Sequence, residues 1–239
     1  TDYVYDALNR VTNRSYSLVG PTPPNYQPTP NVSYFYDNLP NARGKLIKVA
    51  SSVSTTEYTA FDILGRVTAS RQTTDGTAYN MAYSYYVGGA LKEETYPSGR
   101  VVKNQLDPSG DLLTVTSKKT AGGQFFQYAG SAQYNPAGAL TSLQLGNGLY
   151  ESTEFNARLQ PTKIQVGATS GQYDRLKIEY GYGITNNNGN LMSQAITVQP
   201  NSAPLFNQTY TYDDLNRLAS ATETTGYTST WKQTFIYDR

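Results

Sequence analysis

There is no histidine and no cysteine among the 239 residues. These absences remove the commonest general base near neutral pH, the usual transition-metal ligands and the thiol nucleophile. A Ser-His-Asp constellation is impossible, and only a Ser-Lys pair or paired carboxylates would remain as catalytic options. Disulfides are excluded, while the compartment is left open. Charge is sparse as well: 15% of residues are charged and the net charge is +1. No basic face therefore proposes nucleic acid, and no acidic tail proposes a basic partner. The longest basic cluster, Lys118-Lys119, reads as a solvated turn. No apolar run approaches a membrane span, and no helical periodicity is present. Gly-rich stretches such as Val87-Gly88-Gly89 lack the helix and Lys of a phosphate loop.

What the chain does have is tyrosine. Its 22 Tyr lift the aromatic share to 13%, against a hydrophobic fraction of only 38%. Tyr is therefore expected to be the main core residue, with its ring buried and its hydroxyl at an edge. A core of rings and aliphatics can be thin, which suits one curved sheet better than a compact ball.

The tyrosines fall in a repeated pattern, and repeats govern the fold wherever they occur. Tyr210-Thr211-Tyr212-Asp213-Asp214-Leu215-Asn216-Arg217-Leu218 places aromatics two apart, then an Asp, a turn and an aliphatic residue. The same pattern runs from Tyr3 through Tyr5 and Asp6 to Val11, and from Thr59 through Phe61, Asp62, Gly65 and Arg66 to Val67. Residues at i and i+2 of an extended chain share a face, so the aromatic half reads as a strand. The Asp opens a turn because its carboxylate can accept a backbone N–H two residues on. Asn9, Gly65, Gly110 and Asn216, three residues after their Asp, are types that tolerate positive φ. Each copy is therefore a hairpin.

Degenerate copies follow at Tyr36-Asp37, Tyr85-Tyr86, Leu106-Asp107, Tyr134-Asn135, Phe155-Asn156 and Tyr182-Gly183, and the last is Tyr237-Asp238. The Phe155 copy is the weakest, with Leu159 where Gly or Asn is expected. Tyr96 to Arg100 and Leu145 to Leu149 read as second turns in the connections. Glu93 and Glu94 fall on opposite faces of a strand and would not share a site. The chain reads as a single β-array over residues 1–239, with no internal domain boundary, and as a fragment of a longer array.

The unit, roughly Y-x-Y-D-x-x-G-R-L, resembles that of the Rhs/YD-repeat family over essentially the whole chain, Tyr3 to Arg239. The matching positions are Tyr5, Asp6, Tyr36, Asp37, Phe61, Asp62, Gly65, Arg66, Tyr212, Asp213, Asn216, Arg217, Tyr237 and Asp238. The resemblance implies an all-β fold in which successive antiparallel hairpins wind as a curved ribbon or solenoid, part of a hollow shell. In relatives that hollow sequesters a C-terminal toxin or effector. It also implies bacterial export to the medium or cell surface, with other segments of the same shell and an enclosed toxin as partners. No cofactor and no enzymatic activity are expected. The alternative is an extracellular adhesion module, in which exposed Tyr, Asn and Gln bind carbohydrate or protein.

Other readings of single stretches are weaker. Asp107-Pro108-Ser109-Gly110-Asp111-Leu112 resembles the D-P-x-G-L element of the self-cleaving region of Rhs proteins. Asp111 interrupts its Gly-Leu pair, so the segment reads as a hairpin turn. Asp213-Asp214 is the best candidate for calcium, but adjacent acids in a turn are usually solvated. The Asn186 to Asn190 cluster reads as a left-handed turn rather than a ligand loop. Gly20 to Pro30 is a proline-rich connection with irregular, extended backbone. Asn13, Asn31 and Asn207 begin N-x-S/T sequons, relevant only in a eukaryotic secretory cell.

Overall fold

The computed structural model describes residues 1–18, 20–21, 27–199, 201–225 and 228–238. Most of the first half of the proline-rich connection, residues 22–26, lies outside them. Every element is a strand, and no helix occurs among the described residues. The first strands are β1 Asp2–Tyr5, β2 Val11–Ser15, β3 Val32–Tyr36, β4 Leu46–Ala50, β5 Ser54–Phe61 and β6 Val67–Thr74. Next come β7 Thr77–Tyr85, β8 Leu91–Thr95, β9 Val101–Leu106, β10 Leu112–Lys118, β11 Phe126–Tyr134, β12 Leu140–Leu145 and β13 Tyr150–Phe155. The last are β14 Pro161–Gly167, β15 Leu176–Gly181, β16 Ser193–Val198, β17 Phe206–Tyr212, β18 Leu218–Thr225 and β19 Thr228–Thr234. They belong to one 19-stranded antiparallel sheet, so the fold is all-β as the repeat requires.

Two compact units are present. One holds Thr1–Asn104 with Ser117–Phe125, the other Gln105–Thr116 with Phe126–Arg239. In the first, each strand from β1 to β8 pairs antiparallel with the next in sequence. In the second, the same holds from β11 to β19.

A bulge marks seven of the hairpin copies at the anchor residue. The register shifts at Tyr5, Tyr36, Phe61, Tyr85, Tyr134, Phe155 and Tyr212, where the strand enters its turn. The extra residue lies on the return strand and raises the local twist. In three copies it is a Thr whose hydroxyl donates to a carbonyl of the partner strand: Thr12 to Val4, Thr141 to Gln133 and Thr162 to Glu154. The pairings β4–β5, β8–β9 and β12–β13, whose turns sit at the opposite margin, show no such shift.

The expectation of a tyrosine core needs correction. Among the described residues the buried apolar ones are Ala42, Phe61, Val101 and Ala221. The described tyrosines are half-buried or exposed, Tyr3, Tyr5 and Tyr128 being about half open to solvent. A single layer of sheet has no second layer to close over a large ring, so rings lie against neighbours along the face and keep one side wet. Full burial falls instead to small or polar side chains. Register aligns Ser142, Ser152, Gln165, Lys177 and Thr197 in one row across β12 to β16. Four of these, all except Lys177, are buried. The β14–β15 connection lies over that row: the Ser170 and Ser142 hydroxyls are 2.8 Å apart, and Gly171 N–H donates to Ser152 Oγ at 2.9 Å. The opposite face carries the apolar row Ile164, Ile178, Ile196 and Phe206.

Candidate functional site: a repeated tyrosine, aspartate and arginine junction

The turns at Asp6, Asp62, Tyr86, Asp107, Asn135, Asn156 and Asp213 are closed by the same two backbone bonds. In the first copy Asp6 N–H donates to Arg10 O and Asn9 N–H to Asp6 O, at 2.9 and 3.0 Å. Asp6 Oδ1 accepts from the N–H of Leu8 and of Arg10, both at 2.9 Å. Asp62 and Asp213 reproduce both side-chain bonds, as does Asn135 with the N–H of Ala137 and Ala139. The third residue after the acid has positive φ: 61° at Asn9, 72° at Gly65 and 60° at Asn216. Leu159 takes the same conformation at 60°, so the weakest copy still makes the turn with a residue type that disfavours it. Gly99 and Gly148 do likewise in the second turns, at 80° and 87°.

The second carboxylate oxygen binds the arginine four residues on. Arg10, Arg66 and Arg217 donate Nε to Oδ2 of Asp6, Asp62 and Asp213 at 2.7, 2.6 and 2.7 Å. All three carboxyls are held below the usual carboxylate range. The Arg backbone N–H is the largest cause, and the guanidinium adds to it.

The same arginines reach the following copy. Arg10 lies 4.3 Å from the centre of the Tyr36 ring, Arg66 4.7 Å from Tyr85, and Arg217 4.5 Å from Tyr237. Arg10 also pairs with Asp37 at 2.8 Å, which with Asp6 raises its pKa above the usual range. Arg66 donates to Tyr86 O at 2.9 Å. In return, the tyrosine hydroxyl reaches back. Tyr36 donates to Val11 O, Tyr85 to Val67 O, Tyr134 to Leu112 O and Tyr212 to Leu191 O at 2.8 Å, and Tyr237 to Leu218 O at 2.9 Å. Each acceptor is the aliphatic residue that follows the turn of the preceding copy, starting the return strand at Val11, Val67, Leu112 and Leu218 and lying two residues before it at Leu191. Both ends of the junction are thereby tied: the arginine forward, the phenol backward.

Where the anchor lacks a hydroxyl, other groups stand in. Phe61 is buried, and Asn41 Nδ2 of the previous loop donates to its carbonyl at 3.3 Å. At Leu106 the carbonyl of Leu91 is taken by Asn104 Nδ2 at 3.1 Å, while Tyr86 donates to Asn104 O at 2.8 Å. The Asn cluster does the same near the end of the chain. Asn187 Nδ2 and Gln160 Oε1 are 2.6 Å apart, Asn188 and Asn190 both donate to Asn216 Oδ1, and Arg158 donates to Asn187 O.

The signature positions Tyr5, Asp6, Tyr36, Asp37, Phe61, Asp62, Gly65, Arg66, Tyr212, Asp213, Asn216, Arg217, Tyr237 and Asp238 thus lie in or beside the repeated turns. Asp6, Asp37 and Tyr36 meet around Arg10, a residue outside the signature set whose fixed place four after Asp6 was the available clue. The sequence reading also missed the phenol-to-carbonyl bond, because its acceptor is a backbone atom of another copy. Among the described residues no group of three or more His, Cys, Asp or Glu is arranged to hold a metal ion.

No family model matches the chain, and no curated protein matches it. Solved structures do. The fold is similar to that of TcdB2-TccC3. The crystal structure of that protein superposes with a TM-score of 0.76 at 18% identity, covering 92% of this chain and 12% of its own. The TcdB2-TccC3-Cdc42 structure gives 0.74 at 17%, with the same coverages of 92% and 12%. The Photorhabdus luminescens Tc holotoxin pore gives 0.76 at 17%, covering 92% of this chain and 11% of its own. The chain therefore spans about an eighth or less of the proteins it resembles in fold.

Proposed function

We propose that the chain is a wall segment of a β-sheet shell, part of an exported bacterial protein whose enclosed space holds a toxin or effector. The observation that supports this most is where the signature groups spend their bonding capacity. In the best-preserved copies the phenols, carboxylates and guanidiniums bond chiefly one another and backbone carbonyls of adjacent copies. That is the chemistry of a wall built from identical joints, and we assign no catalytic step to it. In a repeat array, stability comes largely from such nearest-neighbour contacts. The similarity in fold to Tc toxin structures supports the same reading.

The test is protease protection in the longer protein that contains this segment. A C-terminal passenger resistant to protease in the intact protein, and cleaved once Arg10, Arg66 and Arg217 are replaced together by Met, is the expected result. A passenger cut equally fast in both would overturn the shell. The competing adhesion reading predicts instead a saturable glycan or protein ligand that the surface tyrosines contact, which an array screen would reveal.

A further inference from the structure

A turn tip has little use for a large apolar side chain, because the acid and the Gly or Asn three residues later close the hairpin. Yet six of the seven most exposed large apolar side chains among the described residues lie in connections at one margin of the sheet. They are Leu8, Ile63, Leu64, Val87, Ile184 and Leu215. Ile184 is fully open to solvent, Val87 is 97% exposed and Ile63 89%. In the first unit Leu8, Ile63 with Leu64, and Val87 tip the β1–β2, β5–β6 and β7–β8 turns. In the second, Ile184 and Leu215 belong to the β15–β16 and β17–β18 connections. Turns of the opposite margin use small or polar residues, as at Asp75-Gly76, Ser98-Gly99 and Asn147-Gly148. Single exposed aliphatics need no explanation, but a row of them confined to one margin marks an interaction surface.

We propose that this margin is an interface between two copies of the chain, packed turn tip against turn tip. Hairpins place one tip at every second strand, so such a row repeats at about 9–10 Å. A second antiparallel hairpin array has that spacing. Of its two margins the one with aliphatic tips is the match, which makes the contact self-complementary and two-fold. Charge favours the same occupant. The arginines that follow the tips of Leu8, Ile63 and Leu215 are paired with Asp6, Asp62 and Asp213, and the net charge is +1, so two copies meet without strong repulsion. That pairing also leaves these tips without the free basic flank by which an amphipathic surface selects anionic lipid. A few aliphatic tips on each copy bury less than about 1,200 Å² in all, so the contact belongs to the weak, reversible class. The inference needs only the fold of this chain and stands apart from the shell reading.

The test is sedimentation velocity of the whole chain from about 10 μM to about 1 mM, with ¹⁵N amide spectra over the same range. Monomer and dimer in exchange are expected, with concentration-dependent shifts at Leu8, Leu64 and Val87 and none at Asp75, Gly76 or Gly99. Replacing Ile63→Ser and Leu64→Ser together should raise the dimer Kd about tenfold or more, since each copy loses two aliphatic side chains from the contact. Val53→Ser, at the opposite margin and 57% exposed, should leave the Kd unchanged. All three positions are exposed, so the circular-dichroism melt of each variant should match the parent. Val87→Asp is an independent tip variant, also expected to weaken the dimer, should the first pair misfold. A chain that stays monomeric throughout, a dimer that the tip replacements leave intact, or binding to phosphatidylcholine–phosphatidylglycerol vesicles without self-association would each overturn the proposal.

Discussion

Replacing Tyr85 by Phe removes a single oxygen from a joint whose geometry is fully specified. The hydroxyl donates to Val67 O at 2.8 Å, while the ring lies 4.7 Å from the Arg66 guanidinium. Phe keeps the ring, and Phe61 shows that this anchor position accepts one. Only the hydrogen bond is lost, so Tyr85→Phe should cost about 1 kcal/mol. For a chain of this size that is a fall of about 2–4 °C in Tm. Tyr85→Leu removes the ring too and should cost about 0.5–1 kcal/mol more through the lost contact with the guanidinium, in addition to lost packing. A double-mutant cycle with Arg66→Met separates these parts. Coupling between Arg66 and Tyr85 should vanish when position 85 goes from Tyr to Phe, and reach about 0.5–1 kcal/mol when it goes to Leu. Thermal and urea melts followed by circular dichroism provide the readout. A Phe variant as damaged as the Leu variant, or a large coupling in the Phe cycle, would refute the division of labour between phenol and ring.

Gly65 has φ of 72°, and a Cβ there would lie 3.1 Å from Lys45 Cε and 3.4 Å from Asn41 O. Gly65→Val should therefore destabilise by about 1–3 kcal/mol, and an unchanged Tm would contradict the turn. Leu159→Asn should have the opposite sign, raising stability by about 0.5–1 kcal/mol, because Leu159 is exposed and held at positive φ where Asn is tolerated. Acid should weaken the fold in a defined window. Asp6, Asp62 and Asp213 sit below their ordinary values, chiefly through the Arg backbone N–H, so they stabilise above the unfolded value and lose that contribution as pH falls through the folded values. The urea midpoint should be level from about pH 7 to about pH 5 and fall below about pH 4, with Asp62→Asn flattening the acid limb. A midpoint already falling between about pH 7 and about pH 5 would count against it.

Local chemistry wrote the hairpins into the sequence. An aromatic pair two apart, an Asp able to cap its own turn and a Gly or Asn for positive φ are decided within nine residues. Strand, turn and all-β class were therefore legible without coordinates. Tertiary structure decided which groups of different copies meet. Nothing local distinguishes Tyr36, which reaches back to Val11 across 25 residues, from a tyrosine buried in a core. Only the side-by-side placement of hairpins brings Arg10 between two acids and over that ring. The same holds for the buried polar row of Ser142, Ser152, Gln165 and Thr197. Its members look like solvent-facing strand residues until register aligns them and the β14–β15 connection closes over them. Hydrogen bonds to a distant backbone carbonyl leave no mark in composition or periodicity, because the acceptor is present at every residue.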